Sequence, residues 1–174
     1  MIFSKCIVLF EGETEEIALP IFFKKYFNKE CYEVGVDFIG VGGATKYKTF
    51  IKLAELLKIL FFIFSDNDRP NEDDIKKKVE NQVKNYSSKI PNDVIIFLNS
   101  GNNFEEELLK IDGYEDIIKQ AILNSIEYKN EQHEQAKYEK DKEKIFNKSK
   151  KEILEDMKKN KTKYAFYIAK EIEK

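Results

Sequence analysis

Short apolar runs rich in β-branched and aromatic residues alternate with amphipathic segments through the first hundred residues. KCIVLF (5–10) reads as a buried strand, and residues 14–28 follow with helical periodicity at Ile17, Leu19, Ile21, Phe22 and Tyr26. Pro20 falls inside that segment and is expected to kink or restart the helix, because it lacks the N–H that an interior turn uses. VGVDFIGV (34–41) predicts a second strand, followed by a Gly42-Gly43 turn and a helix over 46–58. ILFFIF (59–64) predicts a third strand that ends at Ser65-Asp66-Asn67-Asp68. A polar helix over 72–87, a turn at Pro91-Asn92-Asp93 and the strand VIIFL (94–98) complete the series. Four short strands alternating with helices are the pattern of a parallel α/β sheet with right-handed crossovers.

From residue 102 onward the patterning is helical only: 103–111, 114–128, a charged stretch through 157, and 160–173. Within it, 129–152 is dominated by Lys, Glu, Gln, Asn and Asp, with apolar residues too sparse for a core-facing stripe. An exposed helix, a mobile arm and partly disordered chain all fit that composition. No internal repeat or Gly/Ser linker divides the chain. The expected organisation is therefore an α/β core over residues 1–112 with a helical C-terminal extension over 113–174.

The chain has 174 residues, enough for one compact domain with a sizeable core. No apolar run approaches the roughly 20 residues of a membrane span, and a strand pattern begins too early for a signal peptide, so a cytoplasmic protein is expected. Cys6, Cys31 and His133 are far apart in sequence and form no CxxC-type spacing, which argues against a disulfide framework or a structural zinc site. The net charge of −2 argues against a generally basic nucleic-acid binder, but the charge is uneven: residues 129–174 hold 14 lysines against 10 acids. An acidic N-terminal part that holds cations and a basic C-terminal part that meets phosphates is one reading; a solvated helical surface accounts for the same run.

In open α/β sheets, sites form outside the carboxyl ends of the parallel strands, and the acids gather at those ends. Glu11 follows the first strand, and Glu15 lies one helical turn later. Asp66 and Asp68 follow the third strand at a spacing of two, and Glu105, beside Glu106 and Glu107, comes soon after the fourth. Carboxylates collected at one edge repel and call for a cation, and hard oxygen ligands without His or Cys favour Mg²⁺ or Mn²⁺ over zinc. Taken singly, each acid has a structural account in helix-dipole or turn chemistry; their joint occurrence in order favours a metal site.

EGETE (11–15) followed by DND (66–68) resembles the Toprim domain shared by topoisomerases, bacterial primases and several nucleases. VLFEGETEEIALPIFFKKY, GVGGATKYKTFIKLAELL, FFIFSDND and KTKYAFYIAKEI look more specifically like the C-terminal Toprim nuclease domain of the OLD (overcoming lysogenisation defect) family, which includes the Gabija anti-phage nuclease. The resemblance covers nearly the whole chain. It implies a Rossmann-like Toprim sheet of about four parallel strands flanked by helices. It also implies a metal-dependent DNA endonuclease that uses two Mg²⁺ or Mn²⁺ ions and works with an ATPase in anti-phage defence or DNA processing.

By resemblance, Glu11, Glu15, Asp66, Asp68 and Glu105 hold metal, with Glu107 an alternative to Glu105 among three consecutive glutamates. Glu11, Asp66 and Lys161 serve catalysis. Lys163 is close enough to compete with Lys161, and Ser65 is a further site contact. Full-length OLD proteins carry an ATPase domain ahead of this one, whereas no GxxxxGK[ST] loop occurs here. The chain is then an excised domain or a Toprim protein whose ATPase is a separate chain. DNA and an ATPase are the expected partners, with no membrane and with a homo-oligomer open. The rival readings are a catalytically weak Toprim module that binds DNA or docks an ATPase, and nucleotidyl transfer as in primases.

Overall fold

The β-branched and aromatic runs form four strands, β1 (Cys6–Phe10), β2 (Val36–Gly40), β3 (Leu60–Ser65) and β4 (Ile95–Phe97), all parallel, in the order β2-β1-β3-β4. The computed structural model describes residues 4–67, 72–99, 101–128 and 132–174. These residues fall into two units, 1–104 and 105–174.

In the first unit β1 pairs with β2 over its whole length and with β3 from Cys6 to Leu9, with Cys6 beside Val36 on one side and Leu60 on the other. Side chains alternate across the sheet. Ile7, Leu9, Phe61 and Ile63 are buried on one face, while Leu60 and Phe62 on the other are exposed. α3 (Tyr47–Leu57) and α4 (Glu72–Tyr86) cover the buried face, where Tyr47, Ile51, Ala54, Val79 and Val83 join the strand residues in one core. α1 (Glu13–Phe27) lies on the opposite face against β2, with the rings of Phe23 and Phe38 edge to face, 6.0 Å between centroids.

Two local expectations are corrected, and a further one-turn helix appears. Of the kink or restart expected at Pro20, the restart does not occur: α1 runs unbroken through it. Packing of α1 on the sheet outweighs the roughly 3 kcal/mol that an interior proline costs a helix. Pro91-Asn92-Asp93 is not an open turn but the start of a one-turn helix, α5 (Pro91–Val94), with proline at a helix start where its missing N–H costs nothing. Cys31 opens another one-turn helix, α2 (Cys31–Val34), which is closed by Gly35 at φ 74° before the chain enters β2.

The second unit contains α7 (Tyr114–Asn124), α8 (Gln132–Phe146), α9 (Lys150–Lys159) and α10 (Lys161–Glu173); the short α6 (Phe104–Leu108) leads into it. α7 packs chiefly on α10, and Ile118, Ala121, Ile122, Ile153, Met157, Ala165, Ile168 and Ile172 are buried. The lysine-rich stretch from 132 onward is helical as α8, with Ile145 buried near its end. Lys119 is itself buried: its Nζ donates to Glu115 at 2.6 Å and to the carbonyl of Phe146 at 3.0 Å, tying α7 to the last turn of α8. The bond from Lys119, with smaller help from Lys150, holds the Glu115 carboxyl below the usual carboxylate range.

Two outcomes follow from this packing. Ile63→Ala should cost about 2–5 kcal/mol in urea unfolding, and Leu60→Ala, on the exposed face of the same strand, well under 1 kcal/mol. Because Glu115 has a lowered pKa in the folded state, the Lys119–Glu115 contribution is complete above about pH 4.5 and is lost as the pH falls through the lowered value. The stability gap between wild type and Glu115→Gln, followed by circular dichroism from pH 6 to pH 3, should therefore shrink on acidification.

Candidate functional site

β1 and β3 are the two central strands, and Leu9 stands beside Ile63. Extending that register by two residues brings Glu11 beside Ser65, and the fully buried Ser65 hydroxyl donates to Oε1 of Glu11 at 2.7 Å. Tyr47, the first residue of α3, donates its phenol to the same oxygen at 3.2 Å. Its ring is 0% exposed. Burial, then the negative charge of Glu11 and to a smaller degree that of Asp66, push the phenol far above its ordinary value, so it stays protonated. Glu11 and Asp66 thus both act on the same buried phenol from the ends of adjacent strands.

The position of Tyr47 is set by the loop before it. Gly42 and Gly43 have φ of 72° and 128°, conformations that side-chain-bearing residues rarely adopt, and they turn the chain into α3. Gln82 of α4 braces this turn from both ends: its Nε2 donates to the carbonyl of Ala44 at 2.7 Å and its Oε1 accepts from the N–H of Lys48 at 2.9 Å. The chain after β3 is fastened as well. Asn67, 1% exposed, donates Nδ2 to the carbonyl of Leu98 at 3.1 Å and its backbone N–H to Asn102 at 3.2 Å, while its carbonyl accepts from Gly101 at 2.9 Å. Asp66 is held between Ser65 and this anchored asparagine.

Glu15 is the third residue of α1, buried, with its carboxylate folded back over Gly12. A Cβ at Gly12 would lie 2.5 Å from Oε2 of Glu15, so the absent side chain is what admits the carboxylate there. An acid in this first turn also meets the positive end of the helix dipole.

Glu11, Glu15 and Asp66 are hard oxygen donors at one edge of the sheet, and donors of this kind suit Mg²⁺ or Mn²⁺. The cradle over Gly12 fits such a group by leaving room for a carboxylate where a side chain would stand. Among the described residues no three His, Cys, Asp or Glu side chains are gathered closely enough to hold an ion by themselves. Asp68, the second acid of the DND run, lies outside the described residues.

In the helical unit Glu105 is 3% exposed, and Lys161, at the start of α10, faces it with Nζ 3.7 Å from Oε1. Glu107 pairs instead with Lys110 at 3.7 Å and Glu106 with Lys158 at 3.5 Å. Lys163 is exposed. Of the candidate pairs that the sequence leaves open, Glu105 and Lys161 are the two that meet. Tyr47 and Asn67, which the structure brings to the ends of β1 and β3, carry no signal of a site role in the sequence. Tyr47 occupies the first apolar position of an amphipathic helix and reads as core, and Asn67 between two aspartates reads as turn chemistry.

Residues 2–68 match the family model described as overcoming lysogenization defect protein-like, TOPRIM domain. Among curated proteins no sequence matches the chain significantly. The fold is similar to that of the C-terminal region of the Burkholderia pseudomallei OLD protein, with a TM-score of 0.68, 14% identity, and coverage of 97% of this chain and 88% of that one. It is also similar to the C-terminal region of the Xanthomonas campestris pv. campestris OLD protein, with a TM-score of 0.66, 17% identity, and coverage of 97% and 84%. Residues 2–68 therefore carry the sequence pattern of an OLD-like Toprim domain, and the chain has the fold of the C-terminal regions of OLD proteins.

Proposed function

We propose that the chain is a metal-dependent DNA endonuclease that hydrolyses phosphodiester bonds and works with an ATPase domain or subunit in anti-phage defence or DNA processing. The observation that carries this reading is the meeting of Glu11 with Ser65 and Tyr47 at the carboxyl ends of β1 and β3, beside Asp66, in an OLD-like Toprim domain. A purely binding module gives no comparable reason to keep a carboxylate fixed by two buried hydroxyls.

Glu11, Glu15 and Asp66, with Asp68 by resemblance, would hold Mg²⁺ or Mn²⁺. Bound there, two such ions would supply activation of a water and neutralisation of charge on the phosphorus centre. The chain's own share is to orient Glu11 through Ser65 and Tyr47, to bring Glu15 over Gly12, and to hold Asp66 by anchoring Asn67 next to it. Glu105 and Lys161 form a second acid–base pair within the helical unit, assigned by resemblance to a later metal ligand and a cationic catalytic group. Their part is tested on its own.

Plasmid cleavage with Mg²⁺ or Mn²⁺ is expected to disappear in EDTA and in Asp66→Ala. That variant should retain its circular dichroism spectrum, since removing one of several mutually repelling acids rarely unfolds a protein. Unfolding of Asp66→Ala would make the acids structural and the site misread. Lys161→Ala should lower cleavage by at least about tenfold, the scale on which a lost transition-state charge contact acts, while Lys163→Ala stays near wild type; equal activity in both would remove the role assigned to Lys161. Gly12→Ala should fold, because φ at Gly12 is −112°, which alanine accepts. The new methyl group should displace the Glu15 carboxylate, visible in a crystal structure of the variant, and cleavage should fall with it.

A further inference from the structure

We infer that Tyr47 is a positioning residue of the proposed metal site: its phenol and the Ser65 hydroxyl, both bonded to Oε1 of Glu11, fix the orientation in which Glu11 presents its carboxylate to a divalent cation. This rests on the metal reading above and adds to it a residue outside the acid motifs. A glutamate side chain has three rotatable bonds, and a carboxylate held by one donor can still swing about it. Here the two donors come from separate elements, the start of α3 and the end of β3, and converge on one oxygen. Both donor residues are 0% exposed, so water does not compete for that oxygen from their side.

Packing alone does not account for the phenol. The ring of Tyr47 fills the core between α3 and the sheet, a task phenylalanine performs equally well, and a buried hydroxyl costs stability unless it is hydrogen-bonded. The hydroxyl reaches Glu11 because Gln82 braces the Gly42-Gly43 turn and so fixes where α3 begins. The same burial keeps Tyr47 away from a DNA strand, which leaves it no part as a covalent nucleophile. Groups that orient a metal ligand in this way typically contribute 10–100-fold in metal affinity or activity.

The test measures Mn²⁺ binding by electron paramagnetic resonance, with thermal melts of the metal-free proteins, for wild type, Tyr47→Phe, Glu11→Gln and the double variant. Tyr47→Phe should bind Mn²⁺ about tenfold or more weakly than wild type, with metal-free melting little changed. Added to Glu11→Gln it should cause no further loss, because Tyr47 acts through Glu11. Wild-type Mn²⁺ affinity in Tyr47→Phe, alongside weakened binding in Glu11→Gln, would overturn the role of Tyr47 and leave the metal site standing. Absence of Mn²⁺ binding by the wild type, or binding untouched by Glu11→Gln, would sink the metal reading itself and the inference with it.

Discussion

Oε1 of Glu11 accepts hydrogen bonds from Ser65 and Tyr47, and the arrangement of the first unit can be followed outward from that oxygen. A carboxylate brought beside Asp66 and next to buried apolar side chains loses water that would otherwise stabilise it, so donors must be supplied. Ser65 arrives because β1 and β3 are parallel neighbours in a register that sets their ends level. Tyr47 arrives because the chain leaving β2 turns through two glycines and enters α3 on the buried face of the sheet. The sheet order, the glycine turn and the glutamine brace on α4 all serve one local electrostatic requirement.

The strands and their order of appearance were legible because apolar runs of five or six residues bounded by polar turns leave little alternative in an α/β chain. The acids at the strand ends were legible for the same reason: once the strands are located, their carboxyl ends follow. What could not be read was the supply of donors. A serine at the end of a strand and a tyrosine at the start of an amphipathic helix carry no periodic signal that they will meet, 18 residues apart in sequence, on a glutamate much earlier in the chain. Their meeting depends on the pairing of β1 with β3 and on the bracing of α3 by Gln82, which are tertiary events. The continuity of α1 through Pro20 was obscured because packing overruled local preference, and the one-turn helices at Cys31 and Pro91 are too short to leave a periodic signal.

The helical unit follows a different economy of charge. Its lysines are abundant, yet several are already engaged: Lys119 is buried against Glu115 and Phe146, Lys148 bridges to Asp156, and Lys150 reaches the carbonyl of Leu109 at 3.0 Å. The basic composition of this segment therefore overstates the positive charge available to a phosphate backbone. A helix-rich unit with few apolar residues uses lysine stems and heads as internal ties between helices, in addition to presenting them to solvent.

The sheet itself has a consequence for assembly. Its two edges are β2, five residues long, and β4, three residues long, and every strand runs the same way. β4 offers few free backbone groups for another sheet to zip onto, whereas β2 has an ordinary strand length, so the hazard of strand addition differs between the two borders. At the β4 border, association with a further macromolecule is left to side chains, where selectivity can be tuned residue by residue, instead of to the generic backbone pairing that any extended segment could imitate.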